Sequence, residues 1–263
     1  MPVTHSNPVV GMLARRARLR ATLAKGGCGV FARLRTSEAY EALAESTADF
    51  VVIDHEHGSF SPGELSACVL AAQAGGLAVI IRFGTDDLSL LQQAVTIGTD
   101  GIIVAHCNDP VRVLDWVKFL RGRALERAWA GAGRASARRA IPWSEFRKMM
   151  HRDLVVIAQI DEPEGLGRSC DIVQVPSLDG LFYGTIGFAL ADAKGGVEAL
   201  NADLADARAQ RPDAIFGYSI ADPHRLSDDV LKNITFAVSD SDIGLLQRAV
   251  SEQIHLLKGF FPT

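Results

Sequence analysis

Four carboxylates, three imidazoles, one guanidinium and one amide stand at or just after the ends of short apolar runs, where a side chain leaves a buried strand and meets solvent. The first cluster is Asp54-His55-Glu56-His57-Gly58, after Phe50–Ile53. Arg82 closes Ala78–Ile81, His106 follows Gly101–Ala105, and Gln159-Ile160-Asp161-Glu162 ends another run. The run ending at Tyr183 leads into Gly184-Thr185-Ile186-Gly187. Together these groups suit proton transfer on a small anionic substrate. The spacing of Asp54 and His57 predicts a dyad, in which the carboxylate fixes the imidazole tautomer and raises its basicity. A loop histidine packed near Phe60 is the alternative. Arg82 can clamp a carboxylate in bidentate fashion. Its alternative is a structural salt bridge to Asp86, Asp87 or Glu56.

These groups converge only if the runs are neighbouring parallel strands. Cys28–Leu34, Phe50–Ile53, Ala78–Phe83, Gly101–Ala105, Leu154–Ile160, Leu178–Tyr183, Ala214–Ile220 and Ile234–Val238 are rich in Val, Ile and Phe and are bounded by Gly, Asp or Pro. Near-continuous apolar strands imply a sheet covered on both faces. Helical patterns lie between them: Glu38–Glu45 after Ser37 as N-cap, Pro62–Ala74 after Ser61, Leu88–Ile97 ending at Gly98, and Pro110–Leu120 after Asn108-Asp109. Eight strands separated by helices predict one α/β domain, a (β/α)₈ TIM barrel over residues 1–263, with reactive groups at the C-terminal strand ends. The doubly wound alternative lacks a GxGxxG after the first strand. Residues 8–24 predict an N-terminal helix capping the barrel bottom. Residues 121–152 form an insertion between the fourth and fifth strands, with a helix over 142–150, and are expected to help shape the site.

The chain has 263 residues, 48% of them hydrophobic, and a net charge of −4, so a large core is available and no positive field exists to attract nucleic acid or anionic lipid. The basic stretch Arg134–Arg139 reads as a solvated face, with an anion clamp as the alternative. Cys28, Cys68, Cys107 and Cys170 are widely spaced and read as buried free thiols of a reducing compartment. With no secretory h-region and no membrane-length apolar run, a cytoplasmic location is expected.

The motifs bring a resemblance. Phe50–Pro62 (FVVIDHEHGSFSP), Ala78–Phe83, Val95–Val104, Gly131–Ala140 (GAGRASARRA), Val155–Glu164 (VVIAQIDEPE), Asp179–Ala189 (DGLFYGTIGFA) and Phe236–Ala249 resemble, in order, segments of the HpcH/HpaI aldolase/citrate lyase family. The resemblance implies a pyruvate-type aldolase: a carbon–carbon lyase acting on a small 2-oxo acid. Its catalytic base is His57 oriented by Asp54, and its electrophilic clamp is Arg82. Gln159 and His106 line the substrate site, and backbone amides of Gly184, Thr185 and Ile186 hold a carboxylate. A divalent metal, Mg²⁺ or Mn²⁺, is held through Asp161. The pattern breaks at Gly187, where the family's second metal carboxylate falls on a residue without a side chain, and at Thr185 and Ala105, which replace prolines. One carboxylate binds a hard ion weakly, so weak metal binding is implied unless Asp192, Glu162 or His106 supplies a further ligand. A metal-independent lyase, dehydratase or isomerase, and a non-catalytic anion- or partner-binding barrel, remain the alternatives. The resemblance also implies a homo-oligomer, a hexamer or trimer of dimers. The amphipathic segment Ile243–Phe261, ending in Phe260-Phe261, gives it a surface.

Overall fold

A computed structural model describes residues 8–84, 86–185 and 196–261. Ile186, Gly187 and Asp192 lie outside them. Eight parallel strands close into a barrel in sequence order: β1 Gly27–Ala32, β2 Phe50–Asp54, β3 Ala78–Phe83, β4 Gly101–Val104, β5 Val155–Ile160, β6 Gly180–Tyr183, β7 Ile215–Ser219 and β8 Phe236–Ser241. Each expected strand is present. The eighth begins two residues later and runs three further than its apolar pattern, because Ser239-Asp240-Ser241 extends the ladder with polar residues. None of the described helices is long and apolar enough to cross a membrane.

The interior is filled by alternate residues: Phe31, Phe50, Val52, Ile80, Ile103, Val155, Ile157, Phe182, Ile215, Phe236 and Val238. Phe182 stacks on Phe236 at 5.8 Å, and Phe50 meets Phe236 edge-on at 5.9 Å. Two glycines make room for these rings. A Cβ at Gly217 would lie 2.0 Å from the Phe236 ring, and one at Gly29 would lie 2.3 Å from that of Phe50. The same period of two aims Asp54, Arg82 and Gln159, each two residues past an interior side chain, into the C-terminal mouth. Cross-strand register sets Asp54 beside Arg82.

The helix Pro8–Leu23 closes the other end, as expected, with Leu19 and Leu23 packed into the interior cluster. Its arginines meet the fully buried Asp100. That carboxylate accepts from Arg15 at 2.8 and 3.1 Å, Gln73 at 2.9 Å and the amide of Val79 at 3.0 Å, with Arg16 at 3.6 Å. Burial pulls the Arg16 guanidinium down to about 10 against the attraction of Asp100. Removing one partner of a buried pair strands the other, at a cost of about 3–5 kcal/mol. Asp100→Ala is therefore expected to lower the midpoint of thermal unfolding by roughly 10 °C. Calorimetry showing an unchanged midpoint would contradict this account.

Some expectations are corrected. The insertion follows a helix, so it emerges at the bottom of the barrel and not at the mouth. Its helix, Trp143–Asp153, packs near Pro8–Leu23, and Arg121 bonds Asp179 and the carbonyls of Leu154 and Ser177. Arg134 is half-buried against Gln73 and the Ile97 carbonyl, while Arg138 and Arg139 are exposed. Thr36, and not Ser37, precedes the helix Ser37–Ala44 and makes no side-chain cap. Ser61 forms the full capping box with Glu64. All four thiols are free, but only Cys68 and Cys107 are buried.

Candidate active site

A cavity of about 300 Å³ opens at the C-terminal mouth. Asp54, Glu56, His57, Arg82, His106, Gln159, Asp161, Glu162, Gly184 and Thr185 line one part of it, and Phe31, Arg33, Phe182, Ser219, Ala221, Ser239, Asp240 and Ser241 the rest. The structure thus gathers the sequence-predicted residues that it describes around one space. No described residue lining that space comes from 121–152.

The Asp54–His57 dyad is not formed. Asp54 is buried, and its Oδ1 accepts from Arg82 Nε at 3.1 Å, Arg82 Nη2 at 2.8 Å and the backbone N–H of His57 at 3.2 Å. Its Oδ2 faces Arg33 Nε at 3.4 Å. A carboxylate three residues ahead of the histidine caps the turn's amide, and the adjacent register supplies Arg82 as its charge partner. The His57 ring is 55% exposed in the cavity wall, and its nearest carboxylate is that of Glu56, 3.9 Å from Nε2. The imidazole that packs on Phe60 is instead His55, stacked at 6.4 Å and 5.1 Å from Phe83; burial lowers its pKa despite Asp54.

Arg82 sits 4.8 Å over the Phe31 ring and also reaches Glu56 Oε2 at 3.2 Å. Its donors therefore brace Asp54 and Glu56, which is the salt-bridge alternative for this residue. Of the amides expected to hold a carboxylate, that of Gly184 is spent on the Ile160 carbonyl at 2.9 Å. Thr185 turns its hydroxyl to the Ser219 carbonyl at 3.2 Å.

Glu56, His106 and Asp161 form the most charged corner. His106 has a left-handed backbone, φ 57°. Its amide donates to Asp161 Oδ1 at 3.0 Å, its Nε2 meets Glu56 Oε1 at 2.6 Å, and its Nδ1 lies 3.1 Å from Glu162 and 3.3 Å from Asp161. Burial opposes the charged ring, yet Asp161, Glu56 and Glu162 together raise the His106 pKa. Burial likewise raises that of Asp161, against His106 and Gln159. Gln159 Nε2 donates to Asp161 Oδ2 at 2.7 Å, leaving its buried Oε1 without a hydrogen-bond partner among the described residues. The ligand atoms of Glu56, His106 and Asp161 lie within 4.8 Å of one another. Two carboxylates, an imidazole and the amide oxygen Gln159 Oε1 form a donor set that fits a divalent ion.

The profile of the HpcH/HpaI aldolase/citrate lyase family matches residues 28–212. The chain belongs to this family. The hydroxypyruvate/pyruvate aldolase of Chromohalobacter salexigens is 24% identical over 88% of this chain and 93% of its own length. The namesake enzyme of Delftia acidovorans is 23% identical, over 59% of this chain and only 58% of that protein. An HpcH/HpaI aldolase/citrate lyase family protein from Burkholderia cenocepacia superposes with a TM-score of 0.80 at 21% identity, over 91% of this chain and 98% of that one. That likeness establishes the barrel as the family's fold.

Reading strand ends missed part of the site. Glu56 stands in the strand-end cluster and as a salt-bridge partner of Arg82 but not as a metal ligand, and Arg33 is not among the expected site residues. Ser239–Ser241 fell beyond the expected end of β8. Polar residues next to an apolar run are the available signal at the ends of the first, seventh and eighth strands, as they are at the second to sixth.

Proposed function

We propose that this HpcH/HpaI-family lyase is an aldolase that cleaves, or forms, a carbon–carbon bond of a small 2-oxo acid in the mouth of its barrel. The observation that carries the reading is the convergence of His57, Arg82, Gln159 and the Glu56–His106–Asp161 corner on one cavity. In the cleavage direction a 4-hydroxy-2-oxo acid loses the hydroxyl proton, the C3–C4 bond breaks to release an aldehyde, and C3 takes a proton to give the 2-oxo acid. His57, exposed in the cavity wall with Glu56 3.9 Å from its Nε2, accepts the hydroxyl proton. Arg82 fixes Asp54 and Glu56 and sets a positive charge beside the developing negative one. Gln159 positions Asp161. Glu56, Asp161 and His106 are the residues that would hold a divalent ion, which supplies electrophilic stabilisation of charge on the 2-oxo group when bound. Pyruvate release from 4-hydroxy-2-oxo acids, coupled to lactate dehydrogenase, tests the reading; no release from any chain length would remove it.

A specific observation favours a second reading. His106 bridges Glu56 and Asp161 by itself. A charged imidazole there satisfies two carboxylates and supports a lyase, dehydratase or isomerase that needs no ion.

The described surface also supports self-association. On the helix Asp242–Lys258, Ile243, Leu246, Val250, Ile254 and Leu257 are exposed, and Phe260 and Phe261 beyond it are 82% and 71% exposed. So long an apolar face is seldom left in water. A homo-oligomer, expected as a hexamer from the family likeness, would cover it. Light scattering at micromolar concentration should find multiples of the 28.2 kDa chain, and Leu246→Glu with Val250→Glu should shift them toward monomer. A monomeric wild type would refute the proposal.

A further inference from the structure

We infer that Arg33 is a specificity-determining residue that binds an anionic group, a carboxylate or phosphate, at the far end of the substrate. The inference rests on the aldolase reading for the position of the other end.

Arg33 follows β1, and β1 stands opposite β5 in a closed ring of eight. A substrate with its 2-oxo acid end near Asp161 therefore extends toward Arg33. The root of Arg33 is fixed: its amide and that of Leu34 donate to the two oxygens of Asp242 at 2.9 and 3.0 Å. Its head is not fully engaged. Nε lies 3.4 Å from Asp54 Oδ2 without a hydrogen bond, and the guanidinium, whose charge is also felt by Asp240, makes no hydrogen bond among the described residues. The side chain is 35% exposed, so these donors reach the cavity. Arg82 differs, with all three nitrogens committed to Asp54 and Glu56.

The wall around Arg33 is consistent with a polar ligand. Ser219 and Ser239 line the cavity, and their hydroxyls make no hydrogen bond among the described residues. Asp240, the nearby acid, is hydrogen-bonded by Arg248 at 2.5 Å and by the Ser241 amide at 2.6 Å; against the cost of burial these contacts hold its pKa low, with a smaller contribution from the charge of Arg33. A planar guanidinium with free terminal donors matches the paired oxygens of a carboxylate or phosphate.

The test pairs charged with uncharged aldehydes in the condensation direction with pyruvate: 4-oxobutanoate against butanal, and glyceraldehyde 3-phosphate against glyceraldehyde. Wild type should favour the charged member of at least one pair; which pair responds tells carboxylate from phosphate. In Arg33→Ala the charged-to-uncharged ratio of kcat/KM should fall roughly ten- to hundredfold, mainly through KM, as loss of a charge-assisted contact implies. Arg33→Lys should recover part of it. A merely structural role, through Asp54, lowers both members together and leaves the ratio unchanged, which would overturn the inference. Calorimetric titration with 4-oxobutanoate and with inorganic phosphate separates this proposal from the aldolase reading. Binding of either anion that Arg33→Ala abolishes, in a protein with no aldol activity, keeps the anion site and removes the reaction. Binding unchanged by the substitution, or no anion binding and no charge preference, removes the anion site.

Discussion

His57→Ala is expected to lower pyruvate release from a 4-hydroxy-2-oxo acid by roughly 10²–10⁴-fold while the protein remains folded. The loss corresponds to about 3–5 kcal/mol of transition-state stabilisation. The fold should tolerate the change because the ring is 55% exposed and contributes nothing to the core. What holds the turn is the His57 amide on Asp54, and alanine keeps it. His55 is the internal control. Its ring lies between Phe60 and Phe83, so His55→Ala should cost stability before it costs rate. A double comparison by steady-state kinetics and thermal unfolding separates the two imidazoles. Wild-type turnover in the His57 variant would take that residue out of the mechanism. Equal losses of stability in both variants would show that the cavity wall depends on both rings.

The Asp54 result changes how that base is understood. A carboxylate placed three residues before a histidine reads from sequence as its orienting partner. In the fold its Oδ1 is taken up by Arg82 and a backbone amide, and Arg33 stands 3.4 Å from its other oxygen without a hydrogen bond. Asp54 therefore acts as the hub that spaces two guanidiniums at the mouth. Its replacement by asparagine should disturb Arg82 and Arg33 together rather than the tautomer of His57.

The barrel was legible because its signal is long-range and redundant. Eight apolar runs, each bounded by Gly, Asp or Pro, define eight parallel strands, and the period of two then decides that Asp54, Arg82 and Gln159 face inward. What periodicity could not supply was the pairing of polar groups once there. Three acids surround His106, and only coordinates separate the 2.6 Å contact with Glu56 from the 3.3 Å contact with Asp161. Nor does apolar patterning mark a strand that ends in polar residues, so Ser239, Asp240 and Ser241 went unseen. The insertion was misplaced for a topological reason: a segment between a helix and the next strand lies at the barrel's bottom, whatever its length or glycine content. A connection following a strand and leading into a helix would have been at the mouth.

Removing the acid at the centre of the charged corner should have a comparably large effect. Asp161→Asn is expected to abolish measurable lyase activity and to weaken Mn²⁺ binding at least tenfold, since a neutral amide is a poorer ligand for a hard cation than a carboxylate. Weak metal binding was the expectation from Asp161 alone. Glu56 and His106, with ligand atoms within 4.8 Å, raise the donor count to three and make useful affinity reasonable. His106 then decides between the two readings of the corner, because its two roles respond to truncation with opposite signs. If the imidazole is a ligand, His106→Ala removes a donor and Mn²⁺ affinity falls. If the protonated imidazole itself neutralises Glu56 and Asp161, the same substitution removes a competing cation from between two acids, and Mn²⁺ affinity rises while activity is lost. Calorimetric titration of wild type and both variants, with metal content of the purified proteins measured alongside, reads the sign directly. No Mn²⁺ binding by wild type, with activity that survives chelation, would establish the metal-free chemistry. Unchanged affinity in Asp161→Asn would show that the ion is held by other residues.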